Sequence, residues 1–209
     1  MNENKKAKKV VALLLCAVLL VVGSVTGTMA YLTSKATVTN TFTVGKVAIT
    51  LDEAKVNAYG EPVDASDNVV ILADAPRVAA NEYKLVPGHT YVKDPVIHVA
   101  AGSEACYLFV KIDNGISGIE GTNTIASQMT ANGWTDKGSG FYAKALPVDA
   151  RNAAQDVTTF GTFTIANTAD ISSSGTAKII IKAYAVQADG FTDVDDAWDK
   201  APTDWTTGW

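Results

Sequence analysis

Two histidines, two cysteines, a run of aspartates and four tryptophans are the residues of this chain best suited to chemistry. His89 and His98 stand nine residues apart, with no His-Glu-x-x-His or similar pairing on one helix. The clustered ligands of a zinc site are therefore missing. Asp193, Asp195 and Asp196, near Asp189, offer oxygen ligands to calcium. They lack the spacing, central glycine and terminal glutamate of a calcium loop, and read as the solvated start of a short helix. No Gly-x-Ser-x-Gly elbow is present to carry a serine nucleophile. Gly115, Gly118 and Gly121 are not followed by the Lys-Ser/Thr of a phosphate loop. The expectation is a protein that is not an enzyme, with no catalytic residues, no metal and no cofactor.

Cys106 falls at an apolar position of an alternating stretch and reads as a small buried hydrophobe. The alternative is an intermolecular disulfide or a reactive thiol. Trp134, Trp198, Trp205 and Trp209 fall outside the main predicted strands. They serve either to cap the open ends of a sandwich or to bind a glycan or another subunit.

The elements that would position these residues are strands. Val38, Phe42 and Val44 alternate with threonines, and after Gly45 the phase flips to Val47, Ile49 and Leu51, which suggests a bulge or bend. Val69–Leu72, Tyr83–Val86 before the turn Pro87-Gly88, and Tyr91–Val99, with Pro95 marking an edge or a strand start, follow. Cys106, Leu108, Val110 and Ile112 alternate with Tyr107, Phe109 and Lys111. Phe141–Ala145, Val157–Ile165 and Ala177–Val186 complete about eight strands. The last is apolar on both faces and reads as a central strand. Helices are expected only at Thr122–Asn132, with Ile125 and Met129 one turn apart and Gly133 as the stop, and at Asp193–Lys200. The fold class is all-β: a jelly-roll-like antiparallel β-sandwich with one or two short helices.

The N-terminus reads as an export signal. Lys5, Lys6, Lys8 and Lys9 precede an apolar run from Val10 to Val22, too short for a membrane span of about twenty residues. Small residues follow, and Thr28 and Ala30 suit the −3 and −1 positions, placing cleavage between Ala30 and Tyr31. The expected organisation is a signal peptide over 1–30 and one sandwich domain over 31–209. Only the uncleaved signal would touch a membrane. Cleavage removes Cys16, so Cys106 has no partner for an intramolecular disulfide, and the domain must rely on its core. Cleavage also takes the net charge from −5 to −8, which argues against nucleic acid as a partner.

Three stretches resemble the TasA/camelysin family of Gram-positive bacteria. They are Gly27–Thr33 with Asn40–Val47 and Ile49–Glu53; Leu85–Gly88 with Lys93-Asp94-Pro95 and Tyr107–Ile112; and Ile179–Phe191. The resemblance covers most of the chain and is weakest between Asn114 and Ala154. It implies processing by a SipW-type signal peptidase, a jelly-roll domain at the cell surface or in the extracellular matrix, and copies of the chain itself as partners in biofilm fibres. It also implies that the mature N-terminal segment of one subunit adds as a strand to the next. Residues 31–44 have the composition for this. They are Thr-rich and proline-free, with Val38, Asn40, Phe42 and Val44 along the donor strand. Such a head-to-tail contact does not close, and so makes filaments. A monomeric cell-surface adhesin is the alternative. A camelysin-like surface metallopeptidase is a further one, although no residue set here carries that activity.

Overall fold

The computed structural model describes residues 45–172 and 177–200, together with residues 8, 9, 11 and 13–17, which are helical. The chain divides into two compact units, Met1–Thr43 and Val44–Trp209. In the first, Val11, Leu13, Leu14 and Leu15 are exposed. No helix among the described residues is long and apolar enough to cross a membrane.

The second unit is an all-β antiparallel sandwich with few helices. Its strands are β1 (Ile49–Ala54), β2 (Arg77–Val78), β3 (Thr90–Val92), β4 (Val96–Val99), β5 (Ser103–Asn114), β6 (Trp134–Gly138), β7 (Phe141–Lys144), β8 (Val148–Ala150), β9 (Gln155–Thr158), β10 (Thr162–Thr164) and β11 (Ile179–Gln187). Two helices, α1 (Ile125–Ala131) and α2 (Val194–Asp199), and a 3-10 turn at Leu72–Asp74 complete it.

One sheet runs β2-β1-β4-β9, and a second runs β11-β5-β7-β6 with β8 continuing beside β5. A ribbon of β10 and β3 makes a third, smaller sheet. Every pairing is antiparallel, as hairpins and short connections allow. Period-two alternation aims Ile97 and Val99 of β4 and Leu108, Val110 and Ile112 of β5 into one core. Tyr91, Phe163, Ile125, Met129 and Trp134 fill it further.

β5 is the spine. The other face predicted for it, Tyr107 and Phe109, is also buried, in a second cluster with Phe141, Ala143 and Ala197. α2 supplies Ala197, and Trp198 packs against Phe109 and Phe141 at ring distances of 5.6 and 5.3 Å.

Several sequence expectations need correction. Tyr91–Val99 is two strands, because Pro95 offers no N–H to a ladder. Val157–Ile165 is likewise broken, between Thr158 and Thr162. Val69–Leu72 ends in the 3-10 turn, and Val69, Ile71 and Leu72 are exposed. Among the described residues β11 stands at the end of its sheet order, where the sequence read it as a central strand. Its two apolar faces reflect the two clusters: Ile179, Ile181, Ala183 and Ala185 lean on the main core, Tyr184 and Val186 on the second.

Candidate functional site

The residues expected to carry export and assembly, Ala30, Tyr31, Val38, Asn40, Phe42 and Val44, lie outside the described residues, as do Trp205 and Trp209. The remaining candidates are placed as follows. Cys106 is fully buried, and burial pushes its thiol up to about 11, so it is a packing residue and a poor nucleophile. Trp134 opens β6 and is buried, with its Nε1 donating to the Thr158 carbonyl at 3.0 Å. Its place in a strand corrects the reading that put it outside them. Trp198 lies over Phe109 and Phe141 in α2. Asp193 caps α2, its Oδ1 accepting the N–H groups of Asp195 and Asp196 at 3.0 and 2.9 Å. Asp195 pairs with Lys137, and Asp196 with Lys200. No group of three metal-binding side chains comes together among the described residues. His89 is half-buried, edge-on against Tyr91.

His98 does more than the sequence suggested. It faces outward from β4, directly opposite Asp156 of β9 and diagonal to Asp52 of β1. Its Nδ1 lies 2.7 Å from Asp156 and its Nε2 2.9 Å from Asp52. An imidazole with carboxylates on both nitrogens satisfies both only when doubly protonated. The Asp52 hydrogen bond leads in raising the His98 pKa, against burial and with help from Asp156. Burial works to raise the Asp52 carboxyl but is outweighed by His98 and Arg77, so it sits below the ordinary value. Arg77 also reaches Asp94 at 2.6 Å and extends the network to β2.

A raised histidine contributes its full stability below the unfolded pKa of about 6.5 and loses it as pH climbs through the higher folded value. The lowered Asp52 contributes above its unfolded value and is lost as pH falls through the folded one. The chain should therefore lose stability as pH rises from about 6.5, the unfolded histidine value, through the higher folded one. His98→Gln should flatten that decline. Urea midpoints across this range check it, and parallel curves for the two proteins would refute it.

The feature most relevant to assembly is the pattern of terminal strands. β2 has two residues and β9 four, mostly exposed and polar. β6 has five, with a register shift at Asp136/Gly138 and polar Thr135, Asp136 and Lys137. These are the short, charged and bulged edges by which sheets avoid unwanted pairing. β11 is different. It is nine residues long, mostly apolar, and paired with β5 in unbroken register from Ile179↔Asn114 to Gln187↔Cys106. Its core-facing Ile179, Ile181, Ala183 and Ala185 are only half-buried.

Sequence reasoning missed one further cluster. Glu53 and Lys93 fall in phase with the core-facing residues around them, Ile49 and Leu51 on one side and Tyr91, Ile97 and Val99 on the other. They meet as a buried ion pair of 2.5 Å, with Asn81 on the second oxygen of the carboxylate at 2.9 Å. Charges of opposite sign at core-phase positions were the available signal. Comparison of the chain with protein-family models, with curated proteins and with solved structures found no match.

Proposed function

We propose that this chain is a secreted structural subunit that assembles into extracellular fibres by head-to-tail strand exchange, in the manner of the TasA/camelysin family it resembles. In this reading a SipW-type peptidase cuts between Ala30 and Tyr31, and residues 31–44 add to the outer edge of β11 on the next subunit. The observation that carries the reading is β11 itself: a long, apolar, regular strand that is terminal among the described residues, beside shorter and polar ones. A donor brings main-chain hydrogen bonds along its length, and alternate side chains such as Val38 and Phe42 cover the half-buried Ile179 and Ile181. The division of the chain at Thr43/Val44 coincides with the end of that donor segment.

Electron microscopy of the chain from Tyr31 to Trp209, beside one beginning at Gly45, tests the proposal. Filaments from the first and single particles from the second are expected. A peptide of residues 31–44 should bind the shortened chain and stop filament growth when added to the longer one. Filaments from both chains would overturn the donor role. Single particles from both, with no peptide binding, would overturn assembly and favour a monomeric surface adhesin.

A further inference from the structure

The buried cluster at Glu53 has the parts of a reaction. Its carboxylate holds two groups, one on each oxygen. Lys93 Nζ donates to Oε2 at 2.5 Å, and Asn81 Nδ2 donates to Oε1 at 2.9 Å. The amide is fixed in orientation. Asn81 Nδ2 also donates to the Ala54 carbonyl at 2.9 Å, and Asn81 Oδ1 accepts the Val56 N–H at 2.9 Å. Glu53 and Lys93 side chains are 5% and 8% exposed, so solvent barely competes for either. Tyr83 closes one side, with Lys93 Nζ 5.8 Å from its ring centre. Its hydroxyl donates to the Val92 carbonyl and is held protonated, first by burial and then by the charges of Glu53 and Asp94.

A buried amine and a buried carboxylate, with a half-buried carboxamide on the carboxylate's second oxygen, form the constellation for transamidation. We propose that Lys93 and Asn81 join in an intramolecular isopeptide bond, with Glu53 relaying the protons. Glu53 takes a proton from Lys93 Nζ, which frees the lone pair for attack on Asn81 Cγ. Negative charge gathers on Oδ1, where the Val56 N–H already points and stabilises it. The Cγ–Nδ2 bond then breaks. Nζ gives up two protons in all, both through Glu53, and Nδ2 leaves as ammonium. Glu53 returns to the carboxylate and accepts a hydrogen bond from the new amide. No oxidant, metal or cofactor enters the balance. The product ties the segment after β2 to the entry of β4, enclosing β3 in a covalent loop.

The test is the intact mass of the chain from Tyr31 to Trp209 under denaturing conditions, followed by tryptic mapping. The mass should fall below that of the sequence by one ammonia. Cleavage after Arg77, Lys84 and Lys111, with Lys93 blocked, should give one branched peptide joining residues 78–84 to 85–111. Succinimide formation at Asn114-Gly115 or Asn132-Gly133 loses the same ammonia, but its peptide is linear. A mass equal to that of the sequence, or an ammonia loss found only in a linear peptide, overturns the bond. Asn81→Ala and Lys93→Arg should restore the full mass. Glu53→Gln should do so as well, and a branched peptide surviving in that variant would overturn the relay role of Glu53. The measurement on the unsubstituted chain decides the bond whether or not the variants fold.

Discussion

Replacing Phe163 by alanine is expected to destabilise the sandwich by about 3–5 kcal/mol. Phe163 is the middle residue of β10 and is 1% exposed. Its ring stacks on Tyr91 at 4.7 Å with an interplanar angle of 11°, and meets Tyr83 edge-on at 5.0 Å. β10 and β3 share only three register pairs, so main-chain hydrogen bonds alone hold the ribbon weakly. The aromatic stack attaches it to the core. Its loss leaves a cavity that the two tyrosines cannot close, because Tyr91 is held by its hydroxyl between the Val86 N–H and the Lys84 carbonyl. Set against a domain stability of about 5–15 kcal/mol, this is a large fraction. The urea midpoint should fall with the slope unchanged, and Phe163→Leu should lose distinctly less. An unmoved midpoint in the alanine variant would show that the ribbon is not anchored by this ring.

The second large effect is expected at the buried ion pair. Lys93→Met leaves the buried Glu53 carboxylate with neither the Lys93 ammonium nor the amide hydrogen bond that replaces it, and should cost about 3–5 kcal/mol. Replacing both partners, as Glu53→Leu with Lys93→Met, should recover most of that loss, because two apolar side chains suit a buried site closed on one side by the Tyr83 ring. Neither variant can form the Lys93–Asn81 bond. Recovery in the double variant therefore isolates the cost of the orphaned charge from any loss of a covalent link. If the double variant remains as unstable as the single, the orphaned carboxylate is not the cause. Denaturation of both single variants and the double closes the cycle.

How far the sequence foretold this arrangement depended on whether the signal was local. The alternation of Cys106 to Ile112 appeared as β5, and Ile125 and Met129 lie buried on one face of α1, with Thr124 capping its first turn. The turn at Pro87-Gly88 is present, with Gly88 at φ +81° as only glycine takes easily. Strands of two or three residues, such as β2 and β8, are too short for a periodic pattern to register. The place of β11 in its sheet depends on pairing with β5, which lies some seventy residues earlier and leaves no mark in its own composition. The Glu53 site was harder still. Residues 53, 81 and 93 come together only through the β1–β4 register and the returning segment after β2, so the two core-phase charges do not reveal each other, or Asn81, in the sequence.

The second cluster gives the molecule two grades of stability. α2 is six residues long, has one fully buried residue, Ala197, and cannot persist as an isolated helix. Its attachment rests on the Asp193 cap, on Trp198, and on the Lys137–Asp195 pair at the surface. Detaching it takes the Trp198 ring away from Phe109 and Phe141 while the main core beneath β5 stays closed. Local opening of this kind costs less than global unfolding and so occurs far more often. In that opened state the sandwich is still folded but its aromatic cluster on the side of β5 away from the main core is less well covered. Two copies meeting there would stick through side chains, in no fixed register, and a docked α2 works against it.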